Sequence, residues 1–290
     1  MSKKKEKAVK SIEIPKIILF IAKFLSVFSS KLTTLFAAKL FTTPIKYKIP
    51  KREHAMERES AQKKITVTEI KKEIVVYEYG NSEKKILLVH GWSGRGTQLV
   101  KIADELLKMG YMTISFDAPA HGKSKGNSSI MIEFIASILE LEKQYGPFEF
   151  AIGHSLGGMS VLNAIKQNFQ VEKAVIIGSG DIIQDIIDDF ICKLEINPEY
   201  GIKLRNHFET KFGGKMDDYS AYKAAEKIEI PILIIHDKDD DDVSVKAAYN
   251  IQKHLKNSEI MITEGLGHRK ILGDDNVIKK IIEFLKIAKN

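Results

Sequence analysis

The chain holds one cysteine, Cys192, so no disulfide forms within it and a small cross-linked scaffold is excluded. That scarcity suits a reducing compartment. Cys192 lies inside the mixed helical stretch Asp185 to Leu194 with no turn to expose it, which makes it a poor nucleophile. Long apolar runs are also missing. The most apolar stretch, near the N-terminus, is interrupted by Lys23 and thinned by Ser26, Ser29 and Ser30, short of the roughly 20 residues a spanning helix needs. His54, His121, His207 and His254 have no metal-ligand spacing with cysteine or carboxylates, so no metal is expected.

Aspartate is absent from residues 1–72, which carry 18 Lys and Arg against six Glu, a net +12. The whole chain is +7, which leaves −5 for the remainder. The basicity therefore belongs to an N-terminal segment rather than to a nucleic-acid-gripping domain, and no nucleic-acid partner is expected. With 290 residues, 44% hydrophobic and 29% charged, one large core is affordable. The expected division is a basic helical segment with its linker over 1–50 and one catalytic domain over 51–290.

After the basic start Met1 to Lys10, the residues Ile17, Ile21, Phe24, Phe28, Leu32 and Leu35 recur at three- and four-residue steps, with Lys16, Lys23, Lys31 and Lys39 between them. This is amphipathic helical periodicity. A secretory signal has a similar outline, but no small-x-small cleavage site follows Phe28. Two readings stay open for residues 14–41: an apolar face packed on the catalytic domain, or a helix lying on an anionic membrane surface. The expected location is cytoplasmic, with peripheral contact at the inner membrane face under the second reading. Thr43-Pro44 and Ile49-Pro50 mark the linker, since the residue before proline is pushed out of helix.

From Ile65 the pattern becomes alternating. Ile65 and Val67, then Ile74, Val76 and Tyr77, read as a strand pair. Strands at Ile86–His90, Met112–Asp117, Phe148–Ile152, Ala174–Ile177, Ile232–His236 and Glu259–Thr263 then alternate with helices at Gln98–Met109, Ser129–Tyr145, Leu156–Asn168, Val245–Leu255 and Asn276–Ala288. Such alternation predicts a mostly parallel sheet with helices on both faces. The break after Gly180 is too long for an ordinary connection and contains helical patterns, which predicts a small helical lid over 181–227.

Gly153-His154-Ser155-Leu156-Gly157 stands between a strand and a helix, where a sharp turn exposes a nucleophilic hydroxyl and needs small flanking residues. A serine nucleophile needs a base, and the base needs an orienting carboxylate. His268, in Glu264-Gly265-Leu266-Gly267-His268, follows the last strand, and its glycines would let the loop swing toward Ser155. His236-Asp237-Lys238-Asp239-Asp240-Asp241-Asp242 supplies the acid, Asp240 by preference and Asp237 second. A calcium loop fails there, because Asp242 and Ala248 occupy the positions of its glycine and bidentate glutamate. The backbone amides of Trp92 and Leu156 are the expected oxyanion donors, and the Trp92 ring is a candidate pocket wall. Gly122-Lys123-Ser124 lacks the opening glycine of a phosphate loop, and Leu99 replaces the third glycine of a dinucleotide fingerprint, so no nucleotide or other cofactor is expected.

Five stretches carry a resemblance to the α/β-hydrolase superfamily, from about Ile65 onward: Leu88 to Arg95, Phe116 to Ser124, Gly153 to Gly158, His236 to Asp240, and Thr263 to Arg269. The chain looks like bacterial serine esterase and lysophospholipase-like hydrolases. The resemblance implies an α/β-hydrolase fold, Ser155 as nucleophile, Asp240 as acid, His268 as base, Trp92 and Leu156 as oxyanion donors, and a small-molecule ester as substrate, with lipid-like acyl esters as one class. Acyl transfer or thioester cleavage by the same groups is the alternative chemistry, and a catalytically silent ligand-binding or membrane-interaction module the alternative class. Ala120 and Asp237 depart from the superfamily pattern, each standing where many members carry glycine.

Overall fold

Runs such as Ile86–Val89, Ala174–Ile177 and Ile232–Ile235 are apolar at every position, as strands covered on both faces must be. The structure, a computed structural model, describes residues 14–286. Its eight strands are β1 (Ala61–Val67), β2 (Lys72–Tyr79), β3 (Lys85–Val89), β4 (Met112–Asp117), β5 (Phe150–His154), β6 (Lys173–Ile177), β7 (Ile232–Asp237) and β8 (Ser258–Thr263). They form one sheet in the order β1-β2-β4-β3-β5-β6-β7-β8. Strand β2 runs antiparallel to both neighbours, and the pairs from β4 to β8 are parallel.

The helices are α1 (Lys16–Phe28), α2 (Ser30–Phe41), α3 (His54–Glu59), α4 (Val100–Lys108), α5 (Met131–Tyr145), α6 (Leu156–Lys166), α7 (Ile183–Lys193), α8 (Glu199–Phe212), α9 (Ala221–Ala225), α10 (Lys246–His254), α11 (Gly267–Lys270) and α12 (Asp275–Leu285). Side chains alternate between the two sheet faces. Leu87, Val89, Ile176 and Ile234 join α5, α6 and α10 in one core, while Ile86, Leu88, Ile177 and Ile235 join α4 and α12 in the other.

The sheet order reverses at β3, whose following strand lies on one side and β5 on the other. In open α/β sheets the crevice at such a point, beyond the carboxyl ends of the strands, is where ligands collect. The ends of β3 and β5 are so close there that a Cβ on Gly91 would come within 2.9 Å of the Ser155 Cβ.

Two local expectations change. Strand β5 runs over 150–154 rather than 148–152, because its ladder with β3 begins at Ile86 with Phe150 and continues to Gly153. The strand therefore delivers Ser155 with no intervening loop. The single amphipathic helix becomes two, since Ser29 turns extended at φ −157° and its side chain accepts a hydrogen bond from the Leu32 amide, starting α2.

The periodic apolar stripe of these two helices does not pack on the domain. Ile17, Phe24, Phe28, Leu32 and Leu35 are all exposed, whereas Ala22, Thr33, Ala37 and Ala38 are buried. The inward face thus combines these small residues with Ile18, Phe36, Leu40 and Phe41, partly buried against the core, while the larger side chains of the stripe point to solvent. Helices α1 and α2 sit against the 181–227 insertion: Phe41 meets Phe190 edge-on at 5.1 Å and packs on Phe208 at 5.7 Å, and Lys23 pairs with Glu195. The basic start Met1 to Lys10 and the predicted helix end at Ala288 lie outside the described residues.

Between α2 and β1 the chain ties itself to the loop after β3. The Glu53 carboxylate, fully buried, accepts hydrogen bonds from Arg95 Nη1 and Thr97 Oγ1, both at 2.8 Å. Removing one member of a buried ion pair leaves the other charge unsatisfied. Glu53→Ala is accordingly expected to cost about 3–5 kcal/mol in urea denaturation. A loss below about 1 kcal/mol, the range of an exposed pair, would contradict that account.

Candidate active site

Strand β5 ends at His154 and α6 begins at Leu156, so one residue makes the whole turn. Ser155 takes φ +54° and ψ −121°, outside the regions favoured by L-residues. Its amide donates to the Ile177 carbonyl at 2.9 Å, which holds the turn against the end of β6. The flanking glycines are required sterically. A Cβ on Gly153 would meet the Gly157 carbonyl oxygen at 2.5 Å, and one on Gly157 would meet the Val89 carbonyl oxygen at 2.4 Å.

The loops after β7 and β8 bring the acid and the imidazole together. His268 Nδ1 donates to Asp240 Oδ2 at 2.7 Å, and the side chain of Asp240 is 1% exposed. The other oxygen of Asp240 accepts the amides of Asp242 and Val243, each at 2.8 Å. Burial pushes this carboxyl upward, but the hydrogen bond and charge of His268 and the two amides outweigh it, so the net shift is downward and the group stays ionised.

Asp237 faces elsewhere. It accepts Thr263 Oγ1 at 2.6 Å, the Leu266 amide at 3.1 Å and the Asp239 amide at 3.0 Å, so it ties the two loops together and does not reach His268. The two aspartates thus have separate tasks, one toward the imidazole and one toward loop backbone.

His268 is not on a freely swinging loop. It is the second residue of the short helix α11, which Gly267 opens, and Gly265 and Gly267 are both at positive φ. Its carbonyl accepts a hydrogen bond from His154 Nε2 at 2.9 Å, and the two rings lie 4.7 Å apart. The residue before Ser155 therefore anchors the segment carrying His268. Sequence gave no signal for this, because the acceptor is a backbone atom. A Cβ on Gly178, at the end of β6, would lie 3.3 Å from His268 Nδ1 and 3.5 Å from Asp240 Oδ2, which places all three strand ends around one point. Among the described residues no hydrogen bond joins Ser155 Oγ to His268.

Leu156 directly follows Ser155, and Trp92 directly follows Gly91, whose added Cβ would lie 2.9 Å from the Ser155 Cβ. Leu156 begins α6, where the first amides of a helix have no internal acceptor. Trp92 precedes Ser93, which has φ +56° and accepts the Ile45 amide on its hydroxyl at 2.9 Å. Beneath this loop Asp117 accepts the Gly96 and Lys123 amides, each at 2.7 Å, and the Tyr77 hydroxyl at 2.9 Å. The Trp92 ring packs edge-on against His121 at 5.0 Å, and Ala120 takes φ +65°, the conformation for which glycine is common.

Several histidines around the site are buried and neutral. Burial pushes His121 down to about 4, and burial together with the neighbouring His268 pushes His154 to about 3, from an ordinary 6.5. Unfolded chains take up these protons from about pH 6.5 downward while the folded protein does not, so stability falls with pH in that window. Each histidine should remove up to about 1.4 kcal/mol per pH unit between about pH 6 and pH 4. Urea midpoints that stay level over this range would contradict the buried neutral rings.

A mostly parallel sheet with a serine at a strained strand-to-helix turn, and an imidazole–carboxylate pair on the last two strand loops, defines an α/β-hydrolase fold. The family model described as alpha/beta hydrolase fold matches residues 84–191. The chain has this fold, and the proteins it is similar to include esterases and lipases. A Monkeypox virus protein described as a monoglyceride lipase homolog is 22% identical, over 68% of this chain and 86% of that protein. An esterase from Pyrococcus furiosus superposes with a TM-score of 0.64 at 19% identity, covering 84% of this chain and 95% of its own. A structure described as a membrane phospholipase A and bacterial virulence factor superposes at 0.62 with 16% identity, covering 93% of this chain and 96% of its own.

Proposed function

We propose that the protein is a serine hydrolase that cleaves carboxylic esters through an acyl-enzyme. The observation that carries this reading is the buried Asp240–His268 pair beside Ser155 at its strained turn. Ser155 Oγ attacks the ester carbonyl as His268 Nε2 takes its proton, and the Asp240 carboxylate holds the imidazole by Nδ1 and stabilises the resulting imidazolium. The Trp92 and Leu156 amides stabilise the oxyanion. His268 returns the proton to the leaving alcohol, then activates water, whose attack releases the acid and restores Ser155.

In this reading residues 51–290 are the catalytic domain and 181–227 its lid, which leaves the sheet just after β6, one strand from Ser155. Residues 1–50 form an interfacial segment whose exposed stripe meets lipid, so the substrate is an amphiphilic acyl ester and the protein is peripheral to a membrane. Support comes from Phe20, Phe24 and Phe28, exposed at 65%, 53% and 71% beside Lys16, Lys23 and Lys31. Among the described residues no helix is long and apolar enough to cross a membrane.

Two experiments test these statements. Nitrophenyl esters of graded acyl length should be hydrolysed, and absence of turnover at every length in folded protein would overturn the activity. Phe20, Phe24 and Phe28 replaced together by serine should abolish sedimentation with phosphatidylglycerol vesicles at unchanged melting temperature. Retained sedimentation would overturn the interfacial role.

A further inference from the structure

Two clefts lie between α2 and α8, and neither contains Ser155. The larger, about 810 Å³, has Lys39, Lys46 and Lys211 on its walls. The smaller, about 540 Å³, has Lys31 and Lys203 and shares Leu35 and His207 with the first, so the two form one trough. Among the described residues, no aspartate or glutamate lines either.

Surface lysines here are paired in some places and unpaired in others, and what sets these apart is that they line facing walls of one cleft. Lys63, Lys72 and Lys123 each reach a glutamate within 2.7 Å, and Lys203 is held by Glu199 at 2.7 Å. Lys31, Lys39, Lys46 and Lys211 have no carboxylate within ion-pair distance among the described residues. The Lys46 ammonium is instead fixed by the Ser124 carbonyl at 2.8 Å, which keeps its charge at the edge of the larger cleft. Like charges on facing walls of a concave, low-dielectric surface reinforce one potential, and a bound anion relieves their repulsion.

We propose that the trough between α2 and α8 is a binding subsite for a phosphate-bearing anion, separate from the Ser155 site. Four uncompensated ammonium groups exceed what one carboxylate neutralises, and lysine serves phosphate as a mobile point charge. Asn127 and Ser128 add neutral hydrogen-bonding groups at one end, while Leu35 and Phe208 give an apolar wall suited to the carbon portion of a phosphate ester. This proposal does not depend on the hydrolytic reading, since the trough is distinct from the serine.

The test is titration of the full-length protein with inorganic phosphate at constant ionic strength, followed by the ring resonances of His207, which faces both halves of the trough. A saturable shift is expected. It should weaken by about tenfold in Lys39→Gln/Lys211→Gln, because two charge-assisted contacts are lost. The equally charged control Lys101→Gln/Lys253→Gln should titrate like the native chain. All four positions are exposed, so melting temperatures should not move.

A linear, non-saturating response, or equal weakening in both double variants, would reduce the effect to net charge and overturn the proposal. So would saturation by decanoate without saturation by phosphate. Monomeric dihexanoyl phosphatidylglycerol separates the two sources of the same chemistry. Competition with inorganic phosphate assigns a lipid headgroup, and phosphate binding without competition assigns a soluble phosphate; both support the subsite.

Discussion

Ser155→Ala is expected to abolish ester turnover and labelling by a fluorophosphonate probe without altering the fold. Alanine keeps the Cβ that the turn already accommodates and removes only the hydroxyl, so urea denaturation should move by less than about 1 kcal/mol. Loss of the nucleophile should lower kcat by about 10⁶-fold. His268→Ala should fall by a similar factor, and the double variant should be no worse than either single one, because the groups act as a unit. Labelling that survives in Ser155→Ala would place the nucleophile elsewhere and remove the proposed mechanism. Loss of labelling in Ser155→Ala with full labelling in His268→Ala would keep the serine and remove its base.

The second large effect separates two neighbouring aspartates. In Asp240→Asn the amide oxygen can still accept the Asp242 and Val243 amides, which the carboxylate accepts at 2.8 Å. The NH₂ group would then face His268 Nδ1, from which Asp240 now accepts a hydrogen bond at 2.7 Å. Two donors cannot share that contact, so the imidazole must move its proton to Nε2, the nitrogen required as base. A fall in kcat of about 10⁴-fold with little change in KM follows.

Asp237→Asn should behave differently. Its carboxylate collects the Thr263 hydroxyl and the Leu266 and Asp239 amides. The expected result is about 1–3 kcal/mol of lost stability with kcat within about tenfold of native. The opposite pattern, with Asp237→Asn inactive and Asp240→Asn active, would exchange their assignments.

Much of the architecture was legible because it depends on periodicity. Fully apolar runs announced parallel strands, and the spacing of Leu156 to Asn168 announced the helix after the turn. The small-residue requirement at Gly153 and Gly157 was also readable, since any side chain there collides with backbone. The choice of Asp240 over Asp237 was readable only as a preference, with Asp237 second. Five aspartates within six residues carry the same chemistry in sequence, and only the direction each takes from the end of β7 distinguishes the one facing His268.

The N-terminal segment shows the same division. Its periodicity established helix and an apolar stripe, but the stripe does not state which neighbour it faces. Tertiary packing placed Ala22, Ala37 and Ala38 inward and left Phe20, Phe24 and Phe28 outside. The His154–His268 and Glu53–Arg95 links were likewise beyond reading, being contacts between residues 114 and 42 positions apart. Sequence by itself determined which residue types stand at the strand ends and which elements carry them, because those follow from local geometry and repeat. Tertiary structure alone decided which of those groups meet, because hydrogen bonds and ion pairs depend on directions set by distant parts of the chain.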